Sequence, residues 1–212
     1  MSSGEKPTPV EIPVDGVTLE GDLGIPDGAT GLVVFAHGSG SSRKSPRNQF
    51  VAERLRNRGL GTLLFDLLTE QEDQRYETRF DIDLLVDRLV AASECVDEEA
   101  TTRDLQVGYF GSSTGAAAAL RAAARKEVGA VVSRGGRVDL ASAVLADVTA
   151  PTLFVVGGAD HTVLELNREA YDELVCEKSL EVVEGAGHLF EEPGALEAVA
   201  DHAGDWFVDH LA

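Results

Sequence analysis

The stretch LQVGYFGSSTGAAAALRAAARK, residues 105–126, decides the fold. It opens with an apolar, β-rich run, Leu105 to Phe110, and ends in an alanine-rich, strongly helical run, Thr114 to Lys126. Between them stands Gly111-Ser112-Ser113-Thr114-Gly115, a G-x-S-x-G pattern centred on Ser113. A strand that turns at once into a helix forces its central residue into strained backbone. Its neighbours must be tiny for the chains to approach. Such a turn lifts a hydroxyl above the sheet edge and aims the first N–H groups of the helix at an anion. The plainer reading is a Gly/Ser turn that only caps a helix. The strand before it and the helix after it favour a nucleophile.

Outward from this turn, short β-rich runs alternate with helical patterns, the signature of a parallel sheet with crossover helices. Val10–Val14 and Val17–Ile25 read as a hairpin about Asp15-Gly16. The other strands are Gly31–Ala36, Gly61–Phe65, Leu105–Phe110, Ala130–Ser133, Pro151–Val156 and Leu180–Val183. Helices are expected from Pro46 to a Gly59 cap, and over Phe80–Cys95, Thr114–Lys126, Asp139–Leu145, Leu164–Leu174 and Gly194–Leu211. Asp139 is the expected N-cap of its helix. Asp66–Thr78 reads as a polar loop. Residues 1–9 are expected to be a loose tail and residues 10–212 a single domain.

Composition narrows the function. The chain has 212 residues, 43% hydrophobic and 26% charged, which excludes disorder and collagen-like repeats. Cys95 and Cys176 alone make neither a disulfide framework nor a metal spacing, so a reducing cytoplasm is expected and no metal. No apolar run approaches the ~20 residues of a membrane helix. Met1–Val10 lacks the apolar core of a secretory signal. The formal charge of −19 would repel nucleic acid and anionic membranes. Only four of the eighteen basic residues are lysines. Many carboxylates with few lysines fit a surface hydrated in concentrated salt, or an ordinary acidic cytoplasmic protein.

A serine hydroxyl needs a base to remove its proton. Among five histidines, His188 lies in Gly185-Ala186-Gly187-His188, just after the last strand, in a loop able to carry an imidazole over the sheet. His161, beside an aspartate, is its main competitor. His202 and His210 fall within the last helix, and His37 reads as a support for its own loop. Asp160, directly after the seventh strand, is the candidate to orient the imidazole; its plainer role is a helix N-cap. The order Ser113, Asp160, His188 is that of a nucleophile-elbow hydrolase, each at the C-terminal end of a strand. Oxyanion donors are expected from the Thr114 N–H and, in the loop His37-Gly38-Ser39-Gly40, from the Ser39 N–H.

These residues resemble the α/β-hydrolases, and in detail the dienelactone hydrolase-like group. The resemblance spans Val10 to Leu211 and rests on HGSG (37–40), GSSTG (111–115), GGAD (157–160) and GAGH (185–188) in that order. It implies an α/β fold with eight strands in the order 1-2-4-3-5-6-7-8, mostly parallel with the second antiparallel. It also implies ester hydrolysis through an acyl-enzyme, without a cofactor: Ser113 as nucleophile, Asp160 as acid, His188 as base, Ser39 and Thr114 as oxyanion hole. Authentic dienelactone hydrolases carry cysteine where Ser113 stands, which points to a serine esterase. A haloalkane dehalogenase would need aspartate there. Ser133 to Pro151 is too short for a cap domain, so an open site and a small ester substrate are expected, on a monomer or homodimer.

Arg43 and Arg47 follow HGSG, and Arg134 and Arg137 follow the sixth strand. Guanidinium forks bind carboxylate or phosphate. Arg43 or Arg134 is therefore expected to hold an anionic group of the substrate, unless these arginines pair with the abundant carboxylates. The same triad would serve an acyltransferase or thioesterase, and a ligand-binding protein could keep the fold without turnover.

Overall fold

The computed structural model describes residues 6–211. Eight strands form one sheet: β1 (Thr8–Val14), β2 (Val17–Gly24), β3 (Gly31–Ala36), β4 (Gly61–Phe65), β5 (Gln106–Ser112), β6 (Ala130–Arg134), β7 (Thr152–Gly157) and β8 (Lys178–Val183). Their spatial order is β1-β2-β4-β3-β5-β6-β7-β8. β2 runs antiparallel to both β1 and β4, and every pairing from β4 to β8 is parallel. The β1–β2 hairpin turns on Asp15 and Gly16, both at positive φ, as a tight two-residue turn between twisted strands requires.

Apart from Gln106 at the start of β5, the central strands are buried because both faces of the sheet are covered. Alternate residues serve opposite layers. Leu32, Val34, Tyr109 and Val131 pack on the side of α4 (Ile82–Glu98) and α5 (Thr114–Ala123). Val33, Phe35, Phe110 and Val132 pack on the side of α1 (Pro46–Arg56) and α7 (Ala195–His210). Nearly every residue of α5 is buried, and its alanines let it lie close against the sheet and neighbouring helices. The remaining long helix, α6 (His161–Glu173), leads into β8. No cap domain interrupts this order. Among the described residues no helix is long and apolar enough to cross a membrane.

Three expectations need correction. Thr8 and Pro9 are not a loose tail; they pair with Leu23 and Asp22 as the start of β1. Residues 1–5 lie outside the described residues. The polar stretch after β4 holds two single-turn helices, α2 (Glu70–Asp73) and α3 (Tyr76–Arg79). A reciprocal cap starts α2: Glu72 N–H donates to Thr69 Oγ1 (3.3 Å) and Thr69 N–H to Glu72 Oε2 (2.8 Å). Asp139 is not a helix cap. The segment Val138–Asp147 is a 3-10 helix, and the Arg137 guanidinium occupies both Asp139 oxygens (2.9 and 2.8 Å).

Candidate active site

Ser113 sits between β5 and α5 at φ 52°, ψ −120°, a conformation that non-glycine residues adopt only under constraint. The constraint is visible around it. A Cβ on Gly115 would stand 2.1 Å from Ala36 O, and one on Gly111 would stand 2.5 Å from Ala116 Cα. Only glycines let β3, β5 and α5 meet this closely. The turn is also clamped from β6: Ser113 N–H donates to Arg134 O (3.2 Å) and Arg137 N–H to Ser113 O (3.0 Å).

Asp160 ends the β7 loop at the N-cap position of α6, yet its carboxylate does not cap the helix. Instead it accepts from His188 Nδ1 at 2.7 Å. Backbone contact between the two loops sets this distance. Ala159 N–H donates to Ala186 O (2.9 Å) and Gly158 N–H to Val183 O (2.8 Å). A Cβ on Gly157 would lie 2.4 Å from Ala186 O, so the loops close only with glycine there. Beyond the histidine, buried Phe190 at φ 55° anchors the chain. The segment that clamps Ser113 also flanks the imidazole: a Cβ on Gly135 would be 3.5 Å from His188 Cε1 and Nδ1. Asp160 and His188 are thus directly bonded, and residues 134–137 bring Ser113 to the same edge. Sequence reasoning missed a support of this segment, buried Asn167, whose Nδ2 donates to Gly136 O (2.9 Å).

The other histidines are placed elsewhere. His161 begins α6 and is exposed, and His210 Nδ1 bonds Trp206 O at 2.7 Å. His37 is buried, donates from Nδ1 to Gly38 O (2.9 Å) and accepts at Nε2 from Leu67 N–H (3.0 Å). Burial pushes its pKa below the usual histidine value. It braces the loop after β3.

Thr114 opens α5, so its N–H lacks an acceptor within the helix. The Ser39 N–H, expected to face the oxyanion, instead donates to Thr114 Oγ1 at 2.9 Å. The reason is local: a threonine follows Ser113 and sets an acceptor in front of that amide.

The two candidate substrate arginines part company. Arg43 is bound to Glu20, to Asp22 (3.3 Å) and to Asp66. The adjacent cleft, about 290 Å³, is lined by Glu20, Asp66, Glu70 and Asp73. Arg43 is therefore a structural cation and not the holder of an anionic substrate. Arg137 is likewise held by Asp139. Arg134 is 8% exposed and forms no ion pair among the described residues. Its pKa is pushed down to about 10, first by burial and then by the nearby positive charge of Arg47.

Comparison with known proteins places this geometry. A family model described as alpha/beta hydrolase domain matches residues 29–206. A dienelactone hydrolase from Anabaena variabilis superposes with a TM-score of 0.95 at 52% identity, covering 98% of this chain and 100% of that one. A lidless serine hydrolase from Xanthomonas campestris has a TM-score of 0.79 at 21% identity, covering 97% and 95%; at that identity it shares the fold alone. Curated Mycobacterium tuberculosis proteins that bear the provisional name phosphoribosyl transferase are 54% identical over 204 residues. That match covers 95% of this chain and 46% of theirs, so the chain spans about half the length of these relatives.

Proposed function

The chain belongs to the alpha/beta hydrolase family, in its dienelactone hydrolase-like group, and from that premise we propose that it cleaves small carboxylic esters through an acyl-enzyme on Ser113. One observation carries this reading. A serine held at positive φ at the start of α5 shares a strand edge with an imidazole bonded to a carboxylate at 2.7 Å. The bond to Asp160 fixes the proton on His188 Nδ1 and leaves the Nε2 lone pair as base. Nε2 takes the Ser113 proton as Oγ attacks the ester carbonyl. The carbonyl oxygen becomes an oxyanion held by the Thr114 N–H. The Thr114 hydroxyl, which accepts from the Ser39 amide, keeps its own proton for the same oxyanion. The ester C–O bond then breaks, and the leaving alkoxide takes the proton from Nε2. Water, deprotonated by the same histidine, attacks the acyl-enzyme and releases the acid and free Ser113.

The transferase name borne by the Mycobacterium relatives belongs to proteins about twice as long. Nothing in a serine–histidine–aspartate set at a strand edge serves transfer of a ribosyl group, whereas acyl transfer to water uses each member.

A fluorophosphonate probe tests the reading without a guess at the substrate. One adduct on Ser113, absent from Ser113→Ala, is expected by peptide mapping in low or molar salt, followed by turnover of simple aryl esters. Folded protein that takes no adduct in either salt would remove the hydrolase assignment and leave a ligand-binding protein on this fold.

A further inference from the structure

The backbone that holds Ser113 is itself pliable. Arg134-Gly135-Gly136-Arg137 grips the turn from both sides: Arg134 O accepts the Ser113 N–H, and the Arg137 N–H donates to Ser113 O. Gly135 stands beside the His188 ring. The same four residues therefore meet both Ser113 and His188. Yet two successive glycines leave the chain its greatest freedom, and Gly135 sits at φ 52°. Larger residues do not fit. A Cβ on Gly136 would stand 2.1 Å from Ser133 Oγ and 2.7 Å from Ala116 Cβ. The close approach that seats the turn thus deprives the loop of stiffness.

Stiffness returns from α6. Asn167 is 0% exposed, and its Nδ2 donates to Gly136 O (2.9 Å) and to Val163 O (2.8 Å). Both partners are carbonyl oxygens, so only the amide nitrogen can face them. Among the described residues no other side chain bonds the backbone of 134–137. Packing alone does not select an amide here. The other buried residues of α6, Val163, Leu164 and Ala170, are apolar. Asn167 Oδ1 is buried without a partner, a penalty that a leucine of similar volume would not carry. The same helix also carries the other arm of the site. Asp160, at its N-cap position, binds His188 Nδ1 at 2.7 Å. Asn167 lies seven residues on, about two turns and ~10 Å along the helix. One rigid element therefore holds the imidazole at its start and the clamp on Ser113 at its middle.

We propose that Asn167 is a positioning residue of the active site: it locks residues 134–137 to α6 and so sets where Ser113 Oγ stands relative to His188 Nε2. The link to catalysis rests on the hydrolase reading; the locking of the loop does not. Asn167 acts through Gly136 and not on the substrate. Without the amide donor Gly136 O is a buried carbonyl left unpaired, and the glycine pair lets the loop shift to relieve it. Proton transfer from Oγ to Nε2 needs hydrogen-bond geometry, and a misplacement of about 1 Å costs on the order of a hundredfold in rate.

Asn167→Leu keeps the volume and removes both hydrogen bonds. Its melting temperature should stay near that of the wild type. Its kcat for p-nitrophenyl butyrate should fall about tenfold to a hundredfold with KM little changed. The pH profile of kcat/KM should keep its shape, because the Asp160–His188 bond is untouched. Fluorophosphonate labelling of Ser113 should slow in step with kcat. Amide hydrogen exchange reads the lock without any turnover: the Ser113 and Arg137 N–H groups should exchange faster in the variant. Asn167→Ala, which introduces no bulk, takes the place of the leucine variant if that one does not fold. Full kcat with a lowered melting temperature would make Asn167 a packing brace and overturn the proposal, as would failure of both variants to fold. Unchanged exchange at both amides, with Ser113 labelled as fast as in the wild type, overturns the lock and leaves the hydrolase reading standing. Faster exchange in a chain whose wild-type Ser113 takes no label supports the lock, and the hydrolase reading then fails by itself.

Discussion

Arg43 and Arg134 flank the Ser113 turn from opposite sides, one on the β2–β4 side of β5 and one on the β6 side. The sequence offers either one as the holder of an anionic group of the substrate, and both are largely buried. Arg43 is saturated. Burial alone would lower its pKa, but Asp66 and Glu20 raise it above the ordinary value. Among the described residues Arg134 forms no ion pair, and burial first, then the charge of Arg47, lowers its pKa. In a chain this rich in carboxylates, arginine identity says little about binding. The neighbours that the fold delivers decide whether a guanidinium is a saturated structural cation or a buried charge left without a partner.

The largest expected effect erases the comparison altogether. Ser113→Ala should lower turnover of aryl esters by roughly 10⁴-fold or more, leaving stability unchanged. A rate near that of the wild type would place the chemistry on another nucleophile. Next in size is Thr114→Val, which keeps shape and removes the hydroxyl. Loss of one oxyanion donor should reduce kcat about a hundredfold with KM little changed, and Thr114→Ser should retain most activity. A faster Thr114→Val enzyme would mean that the hydroxyl blocks the Ser39 amide.

The two arginines should then respond with opposite signs in stability. Arg43→Gln strands Asp66 and Asp22 in a partly buried acidic cluster and should cost about 1–2 kcal/mol in urea melts. Arg134→Met replaces an unanswered buried charge with an apolar chain of similar length and should stabilise by about 1 kcal/mol or more. Loss of stability in both variants would make Arg134 an ordinary brace and would collapse the contrast.

What the sequence disclosed, and what it hid, follows the same division between local and distant causes. The strand-to-helix turn at Ser113 was legible because its signals are adjacent: an apolar run, two glycines and an alanine-rich helix within residues 105–126. The pairing of Asp160 with His188 was legible because each lies in the loop that follows a strand, three residues past β7 and five past β8. The cap that starts α2 was also written locally, as Thr69 and Glu72 three residues apart, but the polarity of the stretch masked it. The rest depended on contacts across the sheet. Arg43 finds its carboxylates on β2 and after β4, the Ser39 amide finds a hydroxyl from α5, and Arg134 finds none. Residues 23 or 75 positions apart carry no spacing signal.

The last effect tests the Arg43 side through a buried titrating neighbour, His37. His37 is held neutral, its pKa lowered by burial and only partly restored by Gly38 O and by Asp66, the same carboxylate that binds Arg43. The folded state therefore protonates less readily than the unfolded one. Below the unfolded histidine pKa of about 6.5 the unfolded chain gains a proton that the folded chain does not, so stability falls as pH falls. The wild type should lose up to about 1.4 kcal/mol per pH unit more than His37→Gln between pH 6.5 and 5. At pH 7 the order reverses. His37→Gln should be the less stable by about 1–3 kcal/mol, because the buried Leu67 N–H loses its well-placed acceptor. Parallel pH profiles of the two proteins would show that His37 protonates in place. The Arg43 side would then hold a further cation at low pH, and the contrast in neighbours would narrow from that side.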